Sequence, residues 1–204
     1  MNIVVLGSAG QVGKALNDVF TKKNLSLIEY THKSCDLNDY KSVRNILYKN
    51  EPDFIINCSA YTKVDDAEHN KEAANATNTL AVKNLAKISS KLGSTLIHIS
   101  TDFVFDGMKD TYNEDDTPNP LSYYGKSKLN SEKILLNHSC KWSIIRTIVI
   151  YGVGENLEKN NIVLWAKNQL DQGNPLNIVD DEYRALTFAE DLAEACVRIA
   201  QNRV

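Results

Sequence analysis

The sequence is poor in the features that mark several protein classes. Its apolar runs, such as Ile3–Leu6 and Ile148–Tyr151, fall far short of the ~20 residues that a membrane-spanning helix needs. The start, Met1-Asn2-Ile3-Val4-Val5-Leu6, has neither a basic stretch nor a long apolar one, so it does not read as a signal peptide. Cysteine is sparse: Cys35, Cys58, Cys140 and Cys196 lie too far apart for a CxxC pair or a zinc spacing. Dispersed cysteines without a leader read as reduced thiols of a cytoplasmic protein. His32, His69, His98 and His138 are equally scattered and form no HExxH pattern, so no metal is expected. Nor does one sign of charge dominate. The 23 basic and 26 acidic residues leave a net charge of −3, which argues against a nucleic-acid or anionic-membrane surface but leaves room for a local phosphate pocket.

What is present is a regular alternation of short β-branched runs with helical periodicity. At 204 residues the chain has the length of one domain, or one and a fraction. Strands are expected at Ile3–Leu6, Leu25–Tyr30, Phe54–Cys58, Thr95–Ile99, Trp142–Ile145 and Leu176–Val179. Helices are expected at Gly10–Phe20, Asp39–Leu47, Lys71–Leu92, Tyr124–Leu136, Ile162–Leu170 and Phe188–Ala200. Strands apolar on both faces belong to a parallel sheet covered on both sides. The alternation therefore predicts a Rossmann-like α/β fold, a doubly wound parallel sheet with helices on both faces. Gly107–Pro120, rich in Asp, Asn, Thr and Pro, reads as a surface loop across the mouth of that sheet.

Ligands of such sheets bind at the carboxyl ends of the strands, and the chemistry-bearing residues follow the strands. Gly7-Ser8-Ala9-Gly10-Gln11-Val12-Gly13, a GxxGxxG pattern, lies between the first strand and the first helix, where glycines let backbone amides approach a pyrophosphate. The second strand carries one acid, Glu29, inside it. Its tip carries Thr31, His32 and Lys33, either a solvated loop or a 2′-phosphate contact, which leans towards NADPH with NADH as the alternative. Asp36 is either a helix N-cap or a contact to the adenine. The fourth strand ends in Ser100-Thr101-Asp102, and Tyr124 and Lys128 share one helical face four residues apart. An ammonium beside the phenol is expected to lower its pKa. Tyrosine as proton donor, with a strand-tip hydroxyl on the same oxygen, is what reduction of a carbonyl by a nicotinamide requires.

These segments, with Asn57-Cys58-Ser59-Ala60-Tyr61 and Ser100-Thr101-Asp102-Phe103-Val104-Phe105-Asp106-Gly107, resemble the extended short-chain dehydrogenase/reductases, and within them the dTDP-4-dehydrorhamnose reductase family. The resemblance implies a catalytic triad of Thr101, Tyr124 and Lys128. It implies a cofactor cradle of Gly7, Gly10, Gln11, Val12 and Gly13, with Asp36 and Leu37 near the adenine, Cys58, Ser59, Ala60 and Tyr61 along the middle of the cofactor, and Lys128 on the ribose hydroxyls. Asp102, Phe103 and Val104 would face the substrate. Arg184 would either contact a substrate phosphate or pair with a neighbouring acid. The implied reaction is reduction of a 4-keto-6-deoxy sugar nucleotide, and the implied partner is that nucleotide-sugar substrate; a homodimer is compatible with the resemblance. Some members bind Mg²⁺ through acids that include one in the first helix; the corresponding stretch here, Val12-Gly13-Lys14-Ala15-Leu16, carries none, so no metal is expected there. Residues 1–150 would form the NAD(P)-binding domain. Residues 151–204 would begin a substrate-binding region that is reduced or missing relative to the family. Two alternatives share the fold: a non-catalytic NADP-binding regulatory protein, and a nucleotide-sugar epimerase or dehydratase.

Overall fold

The computed structural model describes residues 1–153, 161–181 and 183–202. Five parallel strands, β1 (Ile3–Leu6), β2 (Ile28–Tyr30), β3 (Phe54–Asn57), β4 (Thr95–Thr101) and β5 (Lys141–Thr147), form a sheet in the order β2-β1-β3-β4-β5. Successive side chains of a strand point to opposite faces, and the core divides accordingly. Ile3, Val5, Phe54, Ile56, Ile97 and Ile99 face one layer, and Val4, Leu6, Ile55 and Leu96 face the other. The first layer is α1 (Gln11–Lys22) and α8 (Ala189–Asn202), which supply Leu16, Phe20, Leu192 and Val197. The second is α2 (Tyr40–Asn50), α5 (Ala81–Leu92) and α6 (Tyr123–Leu136), which supply Leu47, Leu85, Ile88 and Leu135. Each such buried aliphatic or aromatic side chain contributes about 1.5–3 kcal/mol. Helix α8 thus completes a face of the five-stranded sheet although it follows residue 150.

Strand order reverses between β1 and β3, because β1 leads through α1 to one side and the chain returns through α2 to the other. In such sheets ligands bind in the crevice outside the carboxyl ends of the strands at the switch point, which here lies at the ends of β1 and β3. The loops after these strands, with those after β4 and β5, build the site.

Some elements differ from the sequence expectation. Helix α3 (Val64–His69) was hidden by its shortness and its acidic first turn. The expected helix Lys71–Leu92 is one helical path with α4 (Lys71–Asn75), a π turn (Ala76–Leu80) and α5; the extra residue in the turn brings Asn78 and Thr79 inward. Strand β2 starts at Ile28, because the Leu25 amide is drawn to Phe20 O and closes α1. No strand covers Leu176–Val179: Ile178 and Val179 are exposed there. Instead β6 (Ile150–Tyr151) pairs in parallel with β7 (Thr187–Phe188). Helix α7 (Ile162–Asp171) lies where expected, capped by Asn161. Among the described residues no helix is long and apolar enough to cross a membrane.

Candidate active site

The glycine loop is fixed by both of its ends. Gly7 and Ser8 donate their amides to Tyr30 O, tying the loop to the tip of β2. Gly7 has φ +83°, and a Cβ there would lie 2.6 Å from Ser59 Oγ and 2.8 Å from Ser59 N. The loops after β1 and β3 therefore touch at the switch point, and only glycine permits it. At Gly13 a Cβ would lie 2.4 Å from Ser8 Cα, so the first turn of α1 packs directly on the loop. Gly10 is different. It is exposed, its Cβ would meet nothing nearer than Gly7 O at 3.5 Å, and it caps α1 without a side-chain bond. The opening amides of α1, from Gln11, Val12 and Gly13, thus form a helix N-terminus of the kind that binds phosphate. Val12 and Gly13 are buried and Gln11 is half-buried. The Gln11 side chain accepts from Asn161 Nδ2 at 2.7 Å, and Asn161 also donates to Gly152 O, joining α7 to the loop.

Thr31, His32 and Lys33 stand at the tip of β2, the latter two exposed, in a turn closed by Thr31 and Ser34. Asp36 is exposed and accepts from Asn38 N, whereas the N-cap of α2 is Asp39, which accepts from Lys41 N and Ser42 N. The N-cap alternative for Asp36 is therefore corrected: the true cap lies three positions further on, with Leu37 and Asn38 between them. Leu37 is buried in the second core layer. After β3, Cys58, Ser59, Ala60 and Tyr61 are half-buried along the crevice. Burial pushes the Cys58 thiol pKa well up, so it is neutral. Asn78, set inward by the π turn, accepts from Tyr61 N and donates to Tyr61 O and to Ser127 Oγ at 2.9 Å. It thus ties this segment to α6.

The structure brings Thr101, Tyr124 and Lys128 to one place. Ser122 Oγ accepts from Gly125 N and starts α6 just before Tyr124. A Cβ on Gly125 would lie 2.2 Å from Phe103 O, so α6 packs on the turn after β4 with no side chain between. Phe103 meets the Tyr124 ring edge-on at 5.7 Å. Thr101 Oγ accepts from Phe103 N and donates to Asp102 Oδ1 at 3.1 Å. Asp102 and Phe103 are half-exposed; Val104, expected to face a substrate with them, is fully buried beneath the turn. Arg184 lies over the Phe103 ring at 5.5 Å and its charge acts on Asp102, so a residue distant in sequence joins this patch. Burial is the largest influence on Asp102 and raises its pKa.

The electrostatics correct one expectation. Burial pushes the Tyr124 phenol above its ordinary value; the Thr101 hydroxyl works against that rise, and Asp102 adds to it. Lys128 does not lower it. The lysine is itself 2% exposed, and it donates to Ile99 O at 2.7 Å rather than to the phenol. Burial lowers the Lys128 pKa to about 8, while Glu132 and Cys58 act in the opposite direction. The fold therefore keeps the phenol protonated at neutral pH, while the lysine, still mostly charged there, titrates near 8.

Sequence reasoning missed the polar layer behind these residues. Asn57, His98, Ser100, Ser131 and Glu132 are all buried. Ser100 donates to Glu132 Oε1 at 2.5 Å, and Arg146 binds both Glu132 oxygens, at 3.1 and 2.8 Å. Arg146 also donates to Glu114 O and lies 5.1 Å over Phe105, holding the loop after β4. A polar residue inside an apolar strand, Asn57 in FIIN or His98 in LIHIST, was the available signal.

The RmlD substrate binding domain family matches residues 1–204. The chain is 36% identical over 211 residues to a dTDP-4-dehydrorhamnose reductase of Salmonella typhimurium, covering 100% of this chain and 69% of that protein. It is 31% identical over 209 residues to methionine adenosyltransferase 2 subunit beta of Bos taurus, covering 99% of this chain but only 63% of that protein's length. A solved dTDP-4-dehydrorhamnose reductase of Bacillus anthracis, in complex with NADP, superposes with a TM-score of 0.91 at 29% identity, over 98% of this chain and 71% of that one.

Proposed function

The chain belongs to the RmlD substrate binding domain family, and from that premise we propose that it is an NADPH-dependent reductase of a 4-keto-6-deoxy sugar nucleotide, the substrate of the dTDP-4-dehydrorhamnose reductases. The observation that carries the reading is the convergence of Thr101, Tyr124 and Lys128 beside the β1/β3 crevice, with Tyr124 buried and protonated. The S. typhimurium and B. anthracis relatives support the reaction class, and the NADP complex of the latter supports the cofactor.

In this reading the amides of Gln11, Val12 and Gly13 hold the pyrophosphate, Gly10 leaves room for it, and Gly7 lets the loop close on Ser59. Cys58, Ser59, Ala60 and Tyr61 line the cofactor's middle, and Asp36 and Leu37 lie towards the adenine. His32 and Lys33, exposed beside the loop, receive a 2′-phosphate, which favours NADPH over NADH. Lys128 donates to the nicotinamide ribose hydroxyls. The bound cofactor supplies the hydride. Thr101 hydrogen-bonds the substrate carbonyl oxygen and Tyr124 gives it a proton as hydride reaches the carbon, so the ketone becomes a secondary alcohol. A phenol whose pKa is raised keeps that proton at neutral pH, which suits the reducing direction. Asp102, Phe103 and Arg184 receive the sugar nucleotide, with Arg184 near its phosphates.

A second reading is favoured by the B. taurus relative, a subunit of another enzyme: the fold binds NADP and regulates a partner. The two separate in one assay. Reduction predicts loss of NADPH absorbance on addition of dTDP-4-dehydro-6-deoxy-L-mannose. NADPH binding without any consumption is the result that overturns reduction and favours regulation.

A further inference from the structure

Behind the proposed triad lies a histidine to which the reaction above gives no part. His98, in the middle of β4, is 0% exposed. Its Nδ1 lies 3.3 Å from Asn57 Nδ2, and its Nε2 lies 3.0 Å from Ser131 Oγ and 3.4 Å from Lys128 Nζ. Neighbouring bonds fix where the ring hydrogen sits. Asn57 Oδ1 accepts from Ser59 N at 3.1 Å, so its NH₂ faces His98 and Nδ1 must accept. Ser131 gives its one hydroxyl hydrogen to Lys128 O at 2.6 Å, so towards His98 its oxygen can only accept. A neutral imidazole with Nδ1 accepting carries its hydrogen on Nε2.

We propose that His98 is a positioning residue for Lys128: Asn57 and Ser131 pin its ring as the Nε2–H tautomer, so the edge facing Nζ offers a hydrogen rather than a lone pair. Lys128 finds no acceptor on that side. Among the described residues it donates once, to Ile99 O, and its other N–H groups are left for the hydroxyls of a ligand. Burial, then the charge of Lys128, pushes the His98 pKa well down, which keeps the ring neutral as this requires. The other ionisable groups around the pair are Glu132 on α6, held by Arg146 of β5, the Cys58 thiol beyond β3, and Tyr124 one turn before Lys128. The inference rests on the reading of Lys128 as a cofactor-ribose contact.

The test uses the full chain and does not depend on turnover. Two-bond ¹H–¹⁵N imidazole correlations are expected to show His98 with Nε2 protonated and Nδ1 bare at neutral pH; an Nδ1–H or a doubly protonated ring overturns the proposal. NADPH affinity, read by fluorescence, is then compared with Asn57→Asp. The carboxylate still accepts from Ser59 N but also accepts from Nδ1, which moves the ring hydrogen there and gives Nε2 a lone pair that captures a Lys128 hydrogen. NADPH should bind about tenfold more weakly, the scale of one hydrogen bond from a charged group. A switched tautomer with unchanged affinity overturns the proposal. If Asn57→Asp does not fold, the wild-type spectrum still decides it. Wild-type chain that binds no NADPH overturns both this inference and the reading beneath it; NADPH binding without sugar reduction overturns the reaction alone.

Discussion

Gly13 stands against the backbone of Ser8 so closely that a Cβ would lie 2.4 Å from Ser8 Cα, whereas the nearest atom to a Cβ on Gly10 is Gly7 O at 3.5 Å. The two glycines of one loop therefore do different work: Gly13 seats the helix on the loop, and Gly10 keeps the approach to the helix N-terminus open. Gly13→Ala is expected to lower stability, by about 1–3 kcal/mol as for other overpacked sites, measured by urea unfolding. Gly10→Val is expected to leave stability nearly unchanged and to abolish NADPH binding. Equal effects of the two on stability would contradict this division.

Tyr124→Phe removes a hydroxyl and keeps the ring that meets Phe103 edge-on at 5.7 Å. NADPH affinity should be unchanged, and kcat should fall by about 10²–10⁴, the usual contribution of a positioned proton donor. Single-turnover kinetics with a 4-keto sugar nucleotide check it. Retained turnover would remove Tyr124 from the proton-donor role.

Glu132 has a side chain only 1% exposed and is paired with Arg146. Arg146→Met leaves that carboxylate buried, with Ser100 as its remaining hydrogen-bond partner among the described residues, which should cost about 3–5 kcal/mol. Combining it with Glu132→Leu should recover most of the loss. Because Arg146 also holds Glu114 O and covers Phe105, hydrogen exchange in the loop after β4 should quicken in the single variant. Denaturant midpoints of the three chains and exchange of that loop decide the point.

Lys128 gives a pH signature. Its folded pKa is about 8 against an ordinary 10.5. Between these values the unfolded chain holds a proton that the folded chain has released, so this group's contribution makes stability rise with pH. Below about 8 both states are protonated and the burial penalty is fully felt, on the order of 3 kcal/mol. Stability of wild type measured relative to Lys128→Met should therefore climb from pH 8 to pH 10.5. A flat difference would mean that Lys128 is not desolvated.

The sheet was legible because strands buried on both faces leave apolar runs that local sequence displays, as in Ile3–Leu6 and Phe54–Asn57. The place of the glycine loop between β1 and α1, and of Tyr124 and Lys128 on one helix, was legible because their spacing is local, whereas Thr101 joins them from the end of β4. What stayed hidden depends on contacts between distant segments. The pairing of β6 with β7 joins residues 150–151 to 187–188, and no periodicity in either short stretch announces it. The apolar run Leu176–Val179 resembles a strand but has no strand partner among the described residues. The direction of the Tyr124 pKa was misread because four-residue spacing puts Lys128 on the same face of the helix without saying which acceptor it finds; that acceptor is Ile99 O, across on β4.

The most direct test of the account is isotope transfer. NADPH deuterated at the nicotinamide C4 position that delivers hydride, incubated with the chain and dTDP-4-dehydro-6-deoxy-L-mannose, should give a sugar nucleotide carrying one deuterium at its own C4. Transfer that is lost in Tyr124→Phe while NADPH remains bound is the predicted result. A chain that binds NADPH yet leaves the sugar unreduced and unlabelled would contradict the reductase account.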